Sequence, residues 1–235
     1  MILPMHRIML AALALLAAAP AGAAERRYTV TDFDRVLVEG PFRVALATGT
    51  APSAAASGSA AALDRVAIDV QGRTLRIRAN RSAWGGYPGE ASGPVAIVVS
   101  THGLRGATVS GAGNLAIDKV RAMRFEAALS GSGRLSVGKI EADTLILGAV
   151  GSGTIAVGGT VKELRATIQG SATLAGEALA VGDAVVNAAT SGDVTLGARR
   201  TAKLTAAGTG NIEILGAPAC TVNATGSGLI MCGKD

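Results

Sequence analysis

The chain has 235 residues, 49% hydrophobic and only 3% aromatic, and its 22 Lys and Arg against 17 Asp and Glu give a formal charge of +5. The cationic excess is mild and scattered, as in ERR, RTLRIR and ARR, with almost no aromatic residues interleaved; that describes a solvated surface and argues against a nucleic-acid partner. The two cysteines stand as Cys-x11-Cys, which matches no zinc spacing, so neither a metal nor another cofactor is expected.

Taken in chain order, residues 1–23 read as a signal peptide. His6 and Arg7 precede the apolar run IMLAALALLAAA, and small residues around Ala21–Ala24 suit cleavage just before Ala24 or Glu25. The run is shorter than the roughly 20 apolar residues that span a bilayer, so no membrane span is expected after cleavage. The expected location is the periplasm of a Gram-negative bacterium, or the outer surface or medium after secretion. Roughly 210 residues then remain, enough for one domain with its own core.

Residues 24–105 contain short strand signals in YTVTDF, RVLVEG, FRVALATG, RVAIDVQGRTLRIRA and PVAIVVS, with Gln71-Gly72 as a hairpin turn. TAPSAAASGSAAA reads as a loop with one helical turn over residues 60–64. This segment is expected to lead into, and cap, whatever follows, because an open β end invites edge-to-edge association.

From residue 106 onward the chain repeats. VSGAGNLAI, LSGSGRLSV, AVGSGTIAV, IQGSATLAG, AATSGDVTL, AAGTGNIEI and ATGSGLIMC align on Gly111, Gly131, Gly151, Gly170, Thr190, Gly208 and Gly226. Gly113, Gly133, Gly153, Gly192, Gly210 and Gly228 follow two residues later in six of the seven. A period of about twenty residues is the signature of a solenoid. Apolar residues alternate with polar ones on both sides of each turn: Phe125, Ala127 and Leu129 before it, Leu135 and Val137 after it. That period of two makes each repeat a strand, a glycine corner and a second strand, with parallel stacking between coils. A phosphate-cradling Gly loop is a single site opening a helix, whereas this one recurs in every coil and opens a strand; its glycines are structural corners.

The lead-in FDRVLVEGPFRVALATG, the hairpin AIDVQGRTLRIRA, the strand PVAIVVSTHGLRGATVSGAGNLAI and the repeated Gly-Ser-Gly corners resemble the family described as putative auto-transporter adhesin, head GIN domain, over about residues 33–233. The resemblance implies an all-β fold, a right-handed single-stranded parallel β-helix, and an adhesive role; it brings no catalytic residues to transfer. Residues 24–235 are expected to form one continuous domain.

Candidate sites are few. Hydrolysis of a glycan needs two facing carboxylates, yet Asp118, Glu126, Glu141, Asp143, Glu163, Glu177, Asp183, Asp193 and Glu213 fall at different repeat positions, mostly corners. His102 stands alone in a loop. A polysaccharide lyase or hydrolase is therefore the second reading, behind a non-enzymatic binding or scaffold module. The stretch RSAWGGYPGE holds the only tryptophan, and Trp84 and Tyr87 beside Arg78 and Arg81 suit stacking on a sugar or anchoring a partner. The alternative is that this stretch plugs the solenoid end. Ile146, Val150 and Val185, all in the outward phase, suggest an apolar stripe. Cys220 and Cys232, six residues either side of Gly226 and both in the inward phase, suit a disulfide that staples the last coil, the alternative being two buried thiols. The expected partner is an envelope glycan or protein, with self-association of the chain a further possibility.

Overall fold

The computed structural model describes residues 24–80 and 94–234; the signal-peptide segment and all of 81–90 lie outside them. In chain order the lead-in comprises β1 (Ala24–Tyr28), β2 (Arg35–Glu39), β3 (Arg43–Thr48), β4 (Ser53–Gly58), α1 (Ala60–Asp64), β5 (Val66–Gln71), β6 (Thr74–Ala79), β7 (Ala96–Thr101) and β8 (Gly106–Gly111). The repeats then form β9 (Asn114–Gly131), β10 (Arg134–Gly151), β11 (Thr154–Gly170), β12 (Thr173–Thr190), β13 (Val194–Ala206), β14 (Ile212–Leu215), β15 (Ala219–Ala224) and β16 (Ile230–Lys234). All sixteen belong to one sheet wound into a β-solenoid of about six turns with coils of about twenty residues.

Stacking in parallel register turns the sequence period into columns of side chains. Leu115, Leu135, Ile155, Leu174, Val194, Ile212 and Ile230 lie in successive layers of one column, each paired with the next. Their burial removes an apolar ladder from water along the whole axis. Along β9 the in–out alternation breaks at residues 118–119 and again at 121–124. The chain bends there, so each coil has three walls: residues 126–131, 134–137 and 139–142 in one example. The core also tapers. Phe125, Ala127 and Leu129 face inward in one layer, and Ala202, Leu204 and Ala206 do so four layers on, where the repeat has shortened from 20 to 18 residues.

The corner glycines let backbones of adjacent coils touch. At Gly131, φ is +120° and an added Cβ would lie 2.5 Å from the Gly111 carbonyl oxygen. Only glycine fits both constraints.

The lead-in departs from chain order. β2 lies in parallel between β6 and β8, and β3 in parallel between β7 and β9. The layers therefore run β6/β7, β2/β3, β8/β9, and residues 102–105 cross the edge of the middle layer. Outside them β4 pairs antiparallel with β7, β1 with β4, and β5 with β6. Three local expectations are corrected. The first strand ends at Tyr28, and Val30–Asp34 is not strand. Phe33 is buried there and its carbonyl accepts the Thr101 hydroxyl at 2.5 Å, so side-chain and cross-layer bonds fix this stretch instead of a ladder. Ser53–Gly58, read as loop, is strand because the β7 edge supplies its ladder partners and Ala54 and Ala56 are buried against the core. The hairpin loop is Gly72-Arg73, since Gln71 already pairs with Thr74. The helical turn forms as α1, with Ser59 accepting the Ala62 N–H at 3.2 Å as its cap.

Candidate functional site

Of the loop residues singled out in the sequence, Arg81, Trp84 and Tyr87 lie outside the described residues. Arg78 sits on β6, 3.4 Å from Asp69 across the hairpin, and lines a small depression with Glu39, Gln71 and Arg76. The apolar stripe does not form. Ile146 and Val185 share a column, but Arg165 stands between them, and Val150 belongs to another column between Ser130 and Gln169. Cys220 and Cys232 are bonded, with their Cα atoms 6.5 Å apart. The bond ties β15 to β16 in the final layer, where β15 pairs only with β13 and is exposed throughout.

A highly charged surface lies along the third wall and its corner with the first. Two depressions of ≈ 540 and ≈ 760 Å³ run into each other, sharing Arg121, Ala122 and Met123. Together they are lined by eight cations, Arg35, Arg73, Arg105, Arg121, Arg124, Lys162, Arg199 and Arg200, against five carboxylates, Asp32, Asp34, Glu126, Glu141 and Asp143. Arg121, Lys162, Arg199 and Arg200 come from successive layers because the loose corners DKVRA, VKE and GARR fall at the same place on the coil, and Arg35, Arg73 and Arg105 add to them from the lead-in. Small residues, Ala122, Ala142, Ala180 and Gly182, keep the floor low.

Carboxylates hold most of these cations in place. Glu141 is a hub: one oxygen takes Nε and Nη2 of Arg121 at 2.9 and 2.7 Å, and the other takes Lys139 at 2.8 Å. Hydrogen bonds from Lys139 and then Arg121 hold the Glu141 carboxyl down to about 2. Glu126 is likewise lowered, first by Arg124, whose Nε and Nη2 lie 3.0 and 2.9 Å from it, with Arg35 3.5 Å away on its other oxygen. Lys162 pairs with Asp143 at 2.8 Å, Arg73 with Asp34 at 2.9 Å, and Arg200 with Asp183. Arg199 has no carboxylate partner among the described residues. Met123, which lines both depressions, stands 82% exposed.

Chemically this surface presents planar guanidinium donors and carboxylate acceptors side by side. Of its acids, Glu141 is held deprotonated by Lys139 and Arg121, and Asp143 pairs with Lys162 at 2.8 Å. Asp118 is engaged by the backbone N–H groups of Thr48 and Lys119 at 3.0 and 2.6 Å, a structural role at the wall's edge. His102 contacts Asp32 at 3.2 Å at the far end of the groove. Among the described residues no group of three or more His, Cys, Asp or Glu is disposed to hold a metal, and no helix is long and apolar enough to cross a membrane. The corner charges read one by one in the sequence as solvated residues; the groove they share forms only once the layers stack, because Arg35, Arg73 and Arg105 come from the lead-in and not from a repeat corner.

Solved structures share the fold across nearly the whole chain. One described as a "putative adhesin" from Bacteroides fragilis NCTC 9343 superposes with a TM-score of 0.82 at 17% identity, covering 90% of this chain and 97% of its own. One described as a "putative lipid binding protein" from Parabacteroides distasonis ATCC 8503 gives 0.72 at 22% identity, covering 92% and 98%. A third, a "putative adhesin" from Parabacteroides merdae ATCC 43184, gives 0.68 at 18%, covering 90% and 96%. No curated protein matches the chain. The family model described as "Putative auto-transporter adhesin, head GIN domain" matches residues 32–218, and with most of its length inside that match the chain belongs to this family.

Proposed function

We propose that the protein is an exported, non-enzymatic, adhesin-like binding module of the cell envelope whose ligand is a glycan. The observation that carries this reading is the groove along the third wall, where cations from successive layers outnumber carboxylates eight to five on a rigid scaffold. A solenoid suits such a role because repeating coils present the same surface position at intervals of about 4.8 Å, matching an extended polymer. Family membership supports adhesion, and the Cys220–Cys232 bond supports an oxidising compartment outside the cytoplasm. The Glu141 carboxyl, held down by Lys139 and Arg121, is ill suited to act as the proton donor that glycan hydrolysis needs.

The test is co-sedimentation of the purified mature chain with isolated outer-membrane and cell-wall fractions, before and after periodate cleavage of their sugars. Binding that disappears after periodate supports the reading. Binding that survives periodate points to a protein partner and refutes the glycan assignment. No sedimentation with either fraction refutes the envelope role.

A further inference from the structure

The groove has a direction as well as a charge. Arg73, Arg105, Arg124, Lys162 and Arg199 belong to different layers, so its cations succeed one another along the solenoid axis. The layer of Ala180 and Gly182 contributes no cation of its own, and the Arg200 guanidinium of the next layer lies over Gly182. A compact anion would need the cations to converge on one point, and these do not; an extended ligand meets them in turn.

The alternation of charge narrows the chemistry. Guanidinium groups stand beside carboxylate oxygens in several layers, Arg73 by Asp34, Arg124 by Glu126 and Arg121 by Glu141, so a ligand must offer anions to the first and hydrogen-bond donors to the second. A densely charged polyphosphate has no donors, and the groove's own carboxylates repel it. A uronic-acid polysaccharide has a carboxylate and free hydroxyls on each ring, and the small residues of the floor accommodate the C–H face of a sugar. Arg121 and Arg124 already hold Glu141 and Glu126 through Nε and Nη2, so a ligand carboxylate meets them on their remaining N–H groups.

From this charge complementarity we infer that the groove is the docking track of a linear uronic-acid polysaccharide lying along the solenoid axis. The inference rests on the glycan reading above and deepens it. Arg199 supplies a guanidinium that needs no rearrangement to bind, and Lys162 exchanges an exposed ion pair, itself worth little, for the ligand.

The test is calorimetric titration of the purified mature chain with octagalacturonate, with its fully methyl-esterified counterpart and with inorganic polyphosphate of matched length. The track predicts binding to octagalacturonate that weakens with salt and is absent for the ester. It also predicts much weaker binding of digalacturonate, which spans too few layers. Arg199→Gln with Lys162→Gln should weaken octagalacturonate binding at least roughly ten-fold, as expected for losing two charged contacts. Lys203→Gln, a cation of the first wall, should leave it unchanged. Unchanged affinity in the double variant overturns the location, and tighter binding of polyphosphate overturns the carboxylate chemistry. Failure to bind octagalacturonate by a preparation that still sediments with untreated but not periodate-treated envelope overturns the uronate track alone. Failure in both assays overturns the envelope reading with it.

Discussion

Replacing Gly131 by alanine tests the corner directly. The residue has φ +120°, and its new Cβ would lie 2.5 Å from the Gly111 oxygen and 3.0 Å from the Gly111 carbonyl carbon. That carbonyl cannot swing aside freely, because it accepts the Ser132 and Gly133 N–H groups at 3.1 and 2.9 Å. The backbone conformation costs an L-residue about 1–3 kcal/mol, and the forced contact adds roughly 1–3 kcal/mol of overpacking. The expected destabilisation is therefore about 4 kcal/mol, a large part of the roughly 5–15 kcal/mol that holds a domain folded. Gly148 is the control: no positive φ, and open space where its Cβ would stand. Alanine there should be neutral or stabilise by about 0.5–1 kcal/mol, the strand-interior cost of glycine. Urea unfolding followed by far-ultraviolet circular dichroism, with midpoints compared among the three proteins, reads the difference. A Gly131→Ala loss below about 1 kcal/mol, or an equal loss for Gly148→Ala, would refute the reasoning.

Removing the disulfide by Cys220→Ser with Cys232→Ser opens a crosslink of sequence separation 12 and should cost about 3 kcal/mol. Because solenoid layers contact only their neighbours, hydrogen exchange should accelerate first in residues 219–234 and much less in β9–β11. Thr101→Val should cost about 1–3 kcal/mol in the same urea assay, since it leaves the buried Phe33 carbonyl without its donor. Glu141 predicts a pH signature. Its carboxyl is depressed from 4.5 to about 2, so its pairing stabilises the fold above about pH 4.5 and that contribution is lost as pH falls toward 2. The stability difference between the native chain and Glu141→Gln should therefore shrink across that window, and a difference constant from pH 7 to 2 would contradict the assignment.

The regular coils were legible because their information is local. Leu115, Leu135 and Ile155 recur at the spacing at which they later pair, so the period in the sequence is the register in the fold. The lead-in was less legible because its partners are distant and aperiodic: Val36 meets Leu75 on one side and Ala107 on the other. β4 escaped notice since Ala and Ser are weak strand formers, and only the β7 edge makes SAAASG extended. Cys220 and Cys232 share the inward phase of the last coil, which with export made a disulfide the first reading and two buried thiols the second; they are bonded. The groove was the harder object, because Arg73 and Arg199 lie far apart in sequence and their relation exists only once the layers are stacked.

The displaced order of the first layers constrains how the chain can fold. Each regular coil finds its partner 18–20 residues away and can add to a growing stack as soon as the next repeat is available. The β2/β3 layer cannot be completed in that way. It waits for β6 and β7 on one side and for β8 and β9 on the other, so residues 35–48 are not paired on both edges until residues 114–117 are available. In a chain made from its N-terminus, the β2/β3 layer therefore keeps one open edge until residue 117 has appeared, although its pairing with β6 and β7 is available from residue 101.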